Sequence, residues 1–433
     1  MANFITSNSN ILHIFDNVRF NEDIVGVEIH QHLPYASMSY NYYDEIRLPV
    51  IQKDLLTLPG ESCLHIEGVF KNSKFYTLYF NAIASLFSEI RYELYGIEVD
   101  RTNLVGIAST MKALLSMNQN NAAEYSVSGL DPSGSNWIEN FSEKHTFSGE
   151  ANADKENQHF KIDVPLKFLL GFADNYRKLM IFGRQELILK REANDNNAII
   201  QKTGNHWDTT KASNYPPSVT INSISWKLPY IKLSDSAKSS FLMTLKKKQI
   251  VTIPFRQWIV FEYPTLPSPT THVNWTVKMT SNVERPISII LAFQTDRKGK
   301  TEKIYSQFDH LNLTEFKIYF NSVYVPYEPQ YADFTKNNYS SFYRDFINFP
   351  IMYAETETPS NYFSMQDFKN KYPLFVANLI HREGENFKNG QCDVRIEFKT
   401  NVNIPANTSC YAFLLQERMI TYDPIGEQVV KIL

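Results

Sequence analysis

Residues Ser88–Val99 read SEIRYELYGIEV, and residues Thr314–Val325 read TEFKIYFNSVYV. Aligned at an offset of 226 residues (314 − 88), they pair Ser with Thr, Glu with Glu, Arg with Lys, Leu with Phe, Ile with Val and Val with Val. Each reads as strand and turn, rich in β-branched and aromatic residues with charges interspersed. A helix-spaced segment follows each copy. Asn103–Met117 carries Leu104, Ile107, Ala108, Met111, Leu114 and Leu115, and Tyr339–Phe349 carries Tyr339, Phe342, Tyr343, Phe346 and Ile347, both at i, i+3, i+4, i+7 spacing. Next come a Pro-Leu apolar segment (Pro165–Leu170; Pro373–Leu379) and a charged alternating strand (Arg184–Arg191; Asp393–Lys399). The repeated order predicts an internal duplication, two similar all-β units in tandem. The join is expected near Ser234–Lys248, a solvated turn where Ser, Asp and Lys accumulate before a new strand.

The strand signal extends well beyond the repeat. In Asp44–Ile51 (DEIRLPVI), Ile46, Leu48 and Val50 share one face and Glu45 and Arg47 the other. In Cys392–Thr400 (CDVRIEFKT), Val394, Ile396 and Phe398 alternate with Asp393, Arg395, Glu397 and Lys399, a period of two with a charged outer face. Further strands are expected at Ser62–Lys71, Phe75–Phe80, Phe160–Val164, Leu179–Lys190, Val219–Ile231, Gln249–Phe261, Val273–Met279, Ile287–Gln294 and Ser409–Tyr422. Such spacing predicts antiparallel sandwiches and not alternating βαβ units.

Composition narrows the function classes. The chain has 433 residues and a formal net charge of −3, so it carries no global basic footprint for nucleic acid. Residues 1–43 hold Arg19 against Asp16, Glu22, Asp23 and Glu28, so a basic genome-binding arm is missing there. Aromatic residues reach 14 %, while Gly is scarce at 15 residues, which excludes collagen-like and low-complexity chains. The three cysteines, Cys63, Cys392 and Cys410, cannot complete a disulfide framework. The start, MANFITSNSNILHIF, lacks the charged and apolar regions of a secretory signal, and no apolar run of membrane-spanning length occurs. The expectation is a soluble protein made inside a cell and not secreted through a signal peptide.

Catalytic constellations are weak. His30 and His32 form an H-x-H pair that could place two imidazoles on one strand face, but a metal needs further ligands, and compact His/Cys spacings are missing. Gly299-Lys300-Thr301 ends like a phosphate loop without the upstream glycine, and it follows a charged turn that reads as a hairpin tip. Lys246, Lys247 and Lys248 form the only triple-basic run. No catalytic, cofactor-binding or metal-ligating residue is assigned, and no cofactor is required. Two polar stretches, Asn118–Gln158 and Asn194–Pro217, read as long surface loops confined to the first half.

These readings combine into an all-β protein of two tandem jelly-roll β-sandwiches with a short helix inserted in each. The expected division is an N-terminal arm (1–43), a first jelly roll with long surface loops (44–233) and a second jelly roll (234–433). From another class, a carbohydrate-binding or carbohydrate-cleaving β-sandwich would use Tyr and Trp platforms against sugar faces.

Four segments carry a family resemblance: SLFSEIRYELYGIEVDRTNLVGIASTMKALLS (Ser85–Ser116), IPFRQWIVFEYPTLPSPTTHVNWTVK (Ile253–Lys278), FDHLNLTEFKIYFNSVYVPY (Phe308–Tyr327) and VRIEFKTNVNIPANTSCYAFLLQERMITYDP (Val394–Pro424). They resemble the double jelly-roll major capsid proteins of the hexon-like lineage, most of all those of insect-associated polinton-like and adintovirus-like DNA viruses. The resemblance implies a homotrimeric, pseudo-hexagonal capsomer that tiles an icosahedral shell, located in the virion. Its implied partners are neighbouring capsomers, penton or minor capsid proteins, and genomic nucleic acid at the inner face.

Overall fold

The computed structural model describes residues 23–35, 40–50, 56–73, 75–130, 157–181, 183–201, 216–247, 250–277, 286–320, 323–325, 331–354, 362–379 and 394–432. Eight principal strands build the first half: β1 (Ile24–His32), β2 (Glu45–Pro49), β3 (Cys63–Lys71), β4 (Phe87–Leu94), β5 (Ile97–Asn103), β6 (Asn157–Pro165), β7 (Gln185–Arg191) and β8 (Ser218–Leu233). Eight more build the second: β9 (Val251–Tyr263), β10 (His272–Val277), β11 (Pro286–Thr295), β12 (Leu313–Phe320), β13 (Val323–Val325), β14 (Phe375–Asn378), β15 (Val394–Thr400) and β16 (Thr408–Asp423).

Their pairing repeats. In the first half β1 pairs β8, β8 pairs β3 and β3 pairs β6, while β2, β7, β4 and β5 follow one another in the other sheet. In the second half the orders are β9-β16-β11-β14 and β10-β15-β12-β13. Adding eight to each label of the first half reproduces the second, and every one of these pairings is antiparallel. Two four-strand sheets joined in this order make a jelly roll, so the chain is a double jelly roll. Ser88–Val99 and Thr314–Val325 occupy the equivalent hairpins β4-β5 and β12-β13, as a duplication requires. In the first hairpin Tyr95 and Gly96 both take positive φ (53° and 76°), the backbone twist that a tight two-residue turn demands.

Alternation explains the sheets. Ile46 and Leu48 are buried from β2, as is Val50 just after it, and Val394, Ile396 and Phe398 are buried from β15, with Arg395 and Lys399 left outside. Three helices matter for the seam described below: α1 (Val105–Ser116), α2 (Gly171–Asn175) and α4 (Ser340–Ala354). Between them in the chain lies α3 (Asp235–Lys246).

Several sequence expectations are corrected. The join is not a turn but helix α3, whose N-cap Ser234 hydroxyl accepts from the Ala237 amide and whose last turn holds Lys246, a favourable end for a cation. Residues 24–32, assigned to an arm, are a strand of the first jelly roll, because Ile24 to His32 register against Leu233 to Trp226. The two Pro-Leu segments are not equivalent: Pro373–Leu379 contains β14, whereas Leu166–Phe168 is a short helical turn after β6. Leu179–Lys190 is not one strand: Met180–Ile181 pairs Leu56–Thr57 in one sheet, and β7 lies in the other. The stretch 118–158 is helical at Ala122–Val127, with Tyr125 and Leu130 buried, and its residues 131–156 lie outside the described residues. Within 194–217, Ile199–Gln201 pairs with Tyr76–Leu78, and residues 202–215 lie outside the description.

Candidate functional site: the seam between the jelly rolls

The two halves share their cores. Ile107, Ala108, Met111, Leu114 and Leu115 of α1 pack within the apolar cluster of the second jelly roll. In exchange, Ile253, Phe255, Ile420 and Tyr422 of the second half pack within the cluster of the first. Helix α1 is therefore buried on every side from Val105 to Leu115, not only along the stripe its spacing suggests. Its polar residues are satisfied internally: Asn81 donates to the hydroxyls of Ser109 (2.6 Å) and Thr110 (2.9 Å).

Polar contacts then set the angle between the halves. Asp100, fully buried, accepts from the Phe172 amide (2.8 Å), the Arg101 amide (2.8 Å) and the Gln257 side chain (3.1 Å) across the seam. Burial pushes its carboxyl above the ordinary carboxylate range despite these donors. Lys112 of α1 sits 3.0 Å from Asp174 and over the Trp258 ring, and it donates to the Lys167 carbonyl. From the second half the Tyr353 hydroxyl donates to the same Asp174, and Arg256 donates to the Tyr353 carbonyl. Burial, and next the Asp174 charge, hold the Tyr353 phenol well above its usual value.

Helix α2 forms the tightest contact. The Arg256 amide of β9 donates to the Asn175 side chain (2.7 Å), and a side chain at position 171 would collide with the Arg256 carbonyl, so only Gly fits. Phe172 meets Phe255 edge-on at 5.5 Å, and Tyr422 donates to the Ile181 carbonyl.

The residues that raised chemical possibilities are otherwise engaged. The amide of Gly299 donates to Asn197 (2.8 Å) and the Thr301 carbonyl accepts from the Gln201 amide (2.7 Å), so the Gly-Lys-Thr tip clasps the first half. The His30 ring lies tilted against Tyr230, with centroids 4.2 Å apart, and His32 shares a 2.8 Å hydrogen bond with the Tyr230 hydroxyl. Burial, and then the charge of His30, lower the pKa of His32. Among the described residues no group of three or more His, Cys, Asp or Glu is placed to hold a metal. Cys63 is a free thiol whose pKa burial raises to about 11, Cys410 is free and buried, and Cys392 lies outside the described residues. No helix of the described residues is long and apolar enough to cross a membrane. The seam residues Asp100, Lys112, Asp174 and Gln257 carry no motif; their roles depend on what a distant segment places beside them.

A family model described as the double jelly roll-like domain matches residues 76–420, most of the chain. The chain belongs to this family. Its fold is shared with viral major capsid proteins along nearly its whole length. The Faustovirus major capsid protein matches at 10 % identity and a TM-score of 0.57, covering 94 % of this chain and 92 % of that one. The mavirus major capsid protein matches at 13 % identity and 0.56, covering 96 % and 92 %. PBCV-1 VP54, in a structure fitted into a reconstruction of the virophage Sputnik, matches at 11 % and 0.56, covering 97 % and 99 %. At these identities the likeness is one of fold. No curated protein matches the sequence.

Proposed function

We propose that this chain is a viral major capsid protein whose work is repeated self-association, without catalysis. The observation that carries the reading is the end-to-end match to capsid proteins, which leaves almost no part of either chain for another module. The seam supports it physically. A capsid subunit must hold two sandwiches at one fixed angle, and shared cores with buried polar pairs do that better than a flexible linker. In the finer form of the proposal, three copies form a pseudo-hexagonal capsomer, and capsomers tile an icosahedral shell within the virion. Penton or minor capsid proteins, and genomic nucleic acid at the inner face, complete the set of partners. We place the chain near the polinton-like and adintovirus-like capsid proteins, and divide it into two jelly rolls at α3.

Size-exclusion chromatography with light scattering, followed by negative-stain imaging, tests the proposal on purified chain. A trimer with six-lobed outline is expected, and a monodisperse monomer at micromolar concentration overturns it. A short tag inserted near Ser135 is expected to leave trimers intact and to be recognised by antibody on assembled particles.

A further inference from the structure

Lys112 and Asp174 make a pair unlike the other lysine–carboxylate pairs of the molecule. Their Nζ and Oδ2 atoms stand 3.0 Å apart, with the Lys112 side chain 6 % and the Asp174 side chain 17 % exposed. Among the described residues, no other pair of a lysine with a carboxylate keeps both side chains below one-fifth exposure. Both groups are also held in place. The Lys112 ammonium lies over the Trp258 ring and donates to the Lys167 carbonyl, and its stem belongs to the fully buried helix α1. Asp174 belongs to α2, which is fixed by the 2.8 Å bond from the Phe172 amide to Asp100 and by the close approach of Gly171 to the Arg256 carbonyl. From the second jelly roll, the Tyr353 hydroxyl donates to the same Oδ2 that faces Lys112. An amine and a carboxyl group therefore meet at contact distance where the two halves close over them.

We propose that Lys112 and Asp174 join in an isopeptide bond, a covalent staple between α1 and α2. The step needs no oxidant, reductant or second substrate. One ammonium proton passes to the carboxylate, and the freed Lys112 amine attacks Cγ of Asp174. As the C–N bond forms, a carboxyl oxygen departs as water and takes up a second proton from the nitrogen. Ammonium and carboxylate go in; an amide and one water come out. Two effects favour the reaction here. Groups held in a reactive orientation behave as though present at about 10⁵–10⁸ M. A neutral amide also replaces two charges whose removal from water is costly. The Tyr353 hydroxyl supplies a hydrogen bond to the carboxyl oxygen on which charge develops. Because that hydroxyl comes from the other half, the staple forms after the jelly rolls dock and locks a seam already made.

Intact-mass spectrometry of the purified, folded full-length chain tests this. The wild-type chain is expected to weigh one water less than its sequence requires. A lysine in amide linkage resists trypsin, so digestion is expected to release a branched peptide joining Thr102–Lys144 to Phe168–Arg177. Lys112→Arg and Asp174→Ala should each restore the full mass. Tyr353→Phe, which keeps the ring, should lower the stapled fraction of freshly made protein at least tenfold, and an unchanged fraction removes that hydroxyl from the reaction. A wild-type chain at full sequence mass, without the branched peptide, overturns the inference. A missing water that persists in both the Lys112 and Asp174 variants overturns it too, because the loss then lies at other residues. The wild-type peptide map decides the matter even where a variant fails to fold.

Discussion

Ser88 and Thr314 stand at the same β-bulge in the two jelly rolls. On β4 the register passes from Phe87↔Arg191 to Glu89↔Lys190, and on β12 from Leu313↔Thr400 to Glu315↔Lys399, so each is the extra residue of its strand. The Ser88 hydroxyl donates to the Lys190 carbonyl at 3.4 Å, and the Thr314 hydroxyl donates to the Lys399 carbonyl at 3.1 Å. Both bulge carbonyls accept an amide, from Leu104 and from Ala332. Three residues on, the charge pair repeats too: Arg91 meets Glu89 at 2.8 Å and Lys317 meets Glu315 at 2.6 Å. A bulge preserved with its hydroxyl, its accepted amide and its ion pair is the structural mark of duplication.

The bulge hydroxyls should contribute modestly and unequally. Thr314→Val removes the shorter bond at nearly constant volume and is expected to cost about 0.5–1.5 kcal/mol in denaturant unfolding. Ser88→Ala, which loses a longer bond, should cost less. The reverse order of effects would show that the bulges are not equivalent in energy.

Gly171→Ala should disrupt the seam. The added methyl would meet the Arg256 carbonyl, and relief requires α2 to move away from β9. Overpacking of this kind typically costs about 1–3 kcal/mol. A denaturation midpoint equal to wild type would mean that the seam is looser than its geometry.

Lys112→Met keeps the apolar stem and removes the charge that faces Asp174. Asp174 would then be left with the Tyr353 hydroxyl as its partner from the other half. Breaking a largely buried pair from one side costs about 3–5 kcal/mol, so unfolding should begin with separation of the jelly rolls. Limited proteolysis within α3 (235–246) would report that opening, and an unchanged digestion pattern would contradict it.

Acid should loosen β1 through His32. Burial, then the charge of His30, depress its folded pKa below 6.5, so its neutral form stabilises the fold above that value. As pH falls below 6.5 the unfolded form takes up the proton first, and the stabilisation is lost progressively down to the folded pKa. The charged and titratable neighbours are Glu28 and His30 on β1 and Tyr230 and Lys232 on β8. Amide exchange across residues 24–32 should therefore accelerate in acid beyond its intrinsic pH dependence. His32→Asn should flatten that dependence; an equal response in both proteins would remove His32 as the cause.

Much of this was legible in the residues alone. The period-two pattern of Ile46, Leu48 and Val50, or of Val394, Ile396 and Phe398, follows from the pleat, a local property that any sheet with one buried face imposes. The hairpin repeat and helices α1 and α4 were likewise local signals, and their order along the chain predicted the duplication. Position relative to distant segments was not legible. Asp100 and Gln257 read as ordinary polar residues of strands until the tertiary structure buries one against the other. Gly299-Lys300-Thr301 resembled the end of a phosphate loop until its Gly299 amide met Asn197. Ile24–His32 looked like part of an arm because its own residues do not reveal whether β8 lies beside it. Backbone periodicity depends on neighbours a few residues away, so the sequence by itself determined most of the strands, helices α1 and α4, and the repetition of the hairpin. The seam and its buried charges depend on contacts between residues tens to hundreds of positions apart, and only packing of the whole chain decides which of those contacts form.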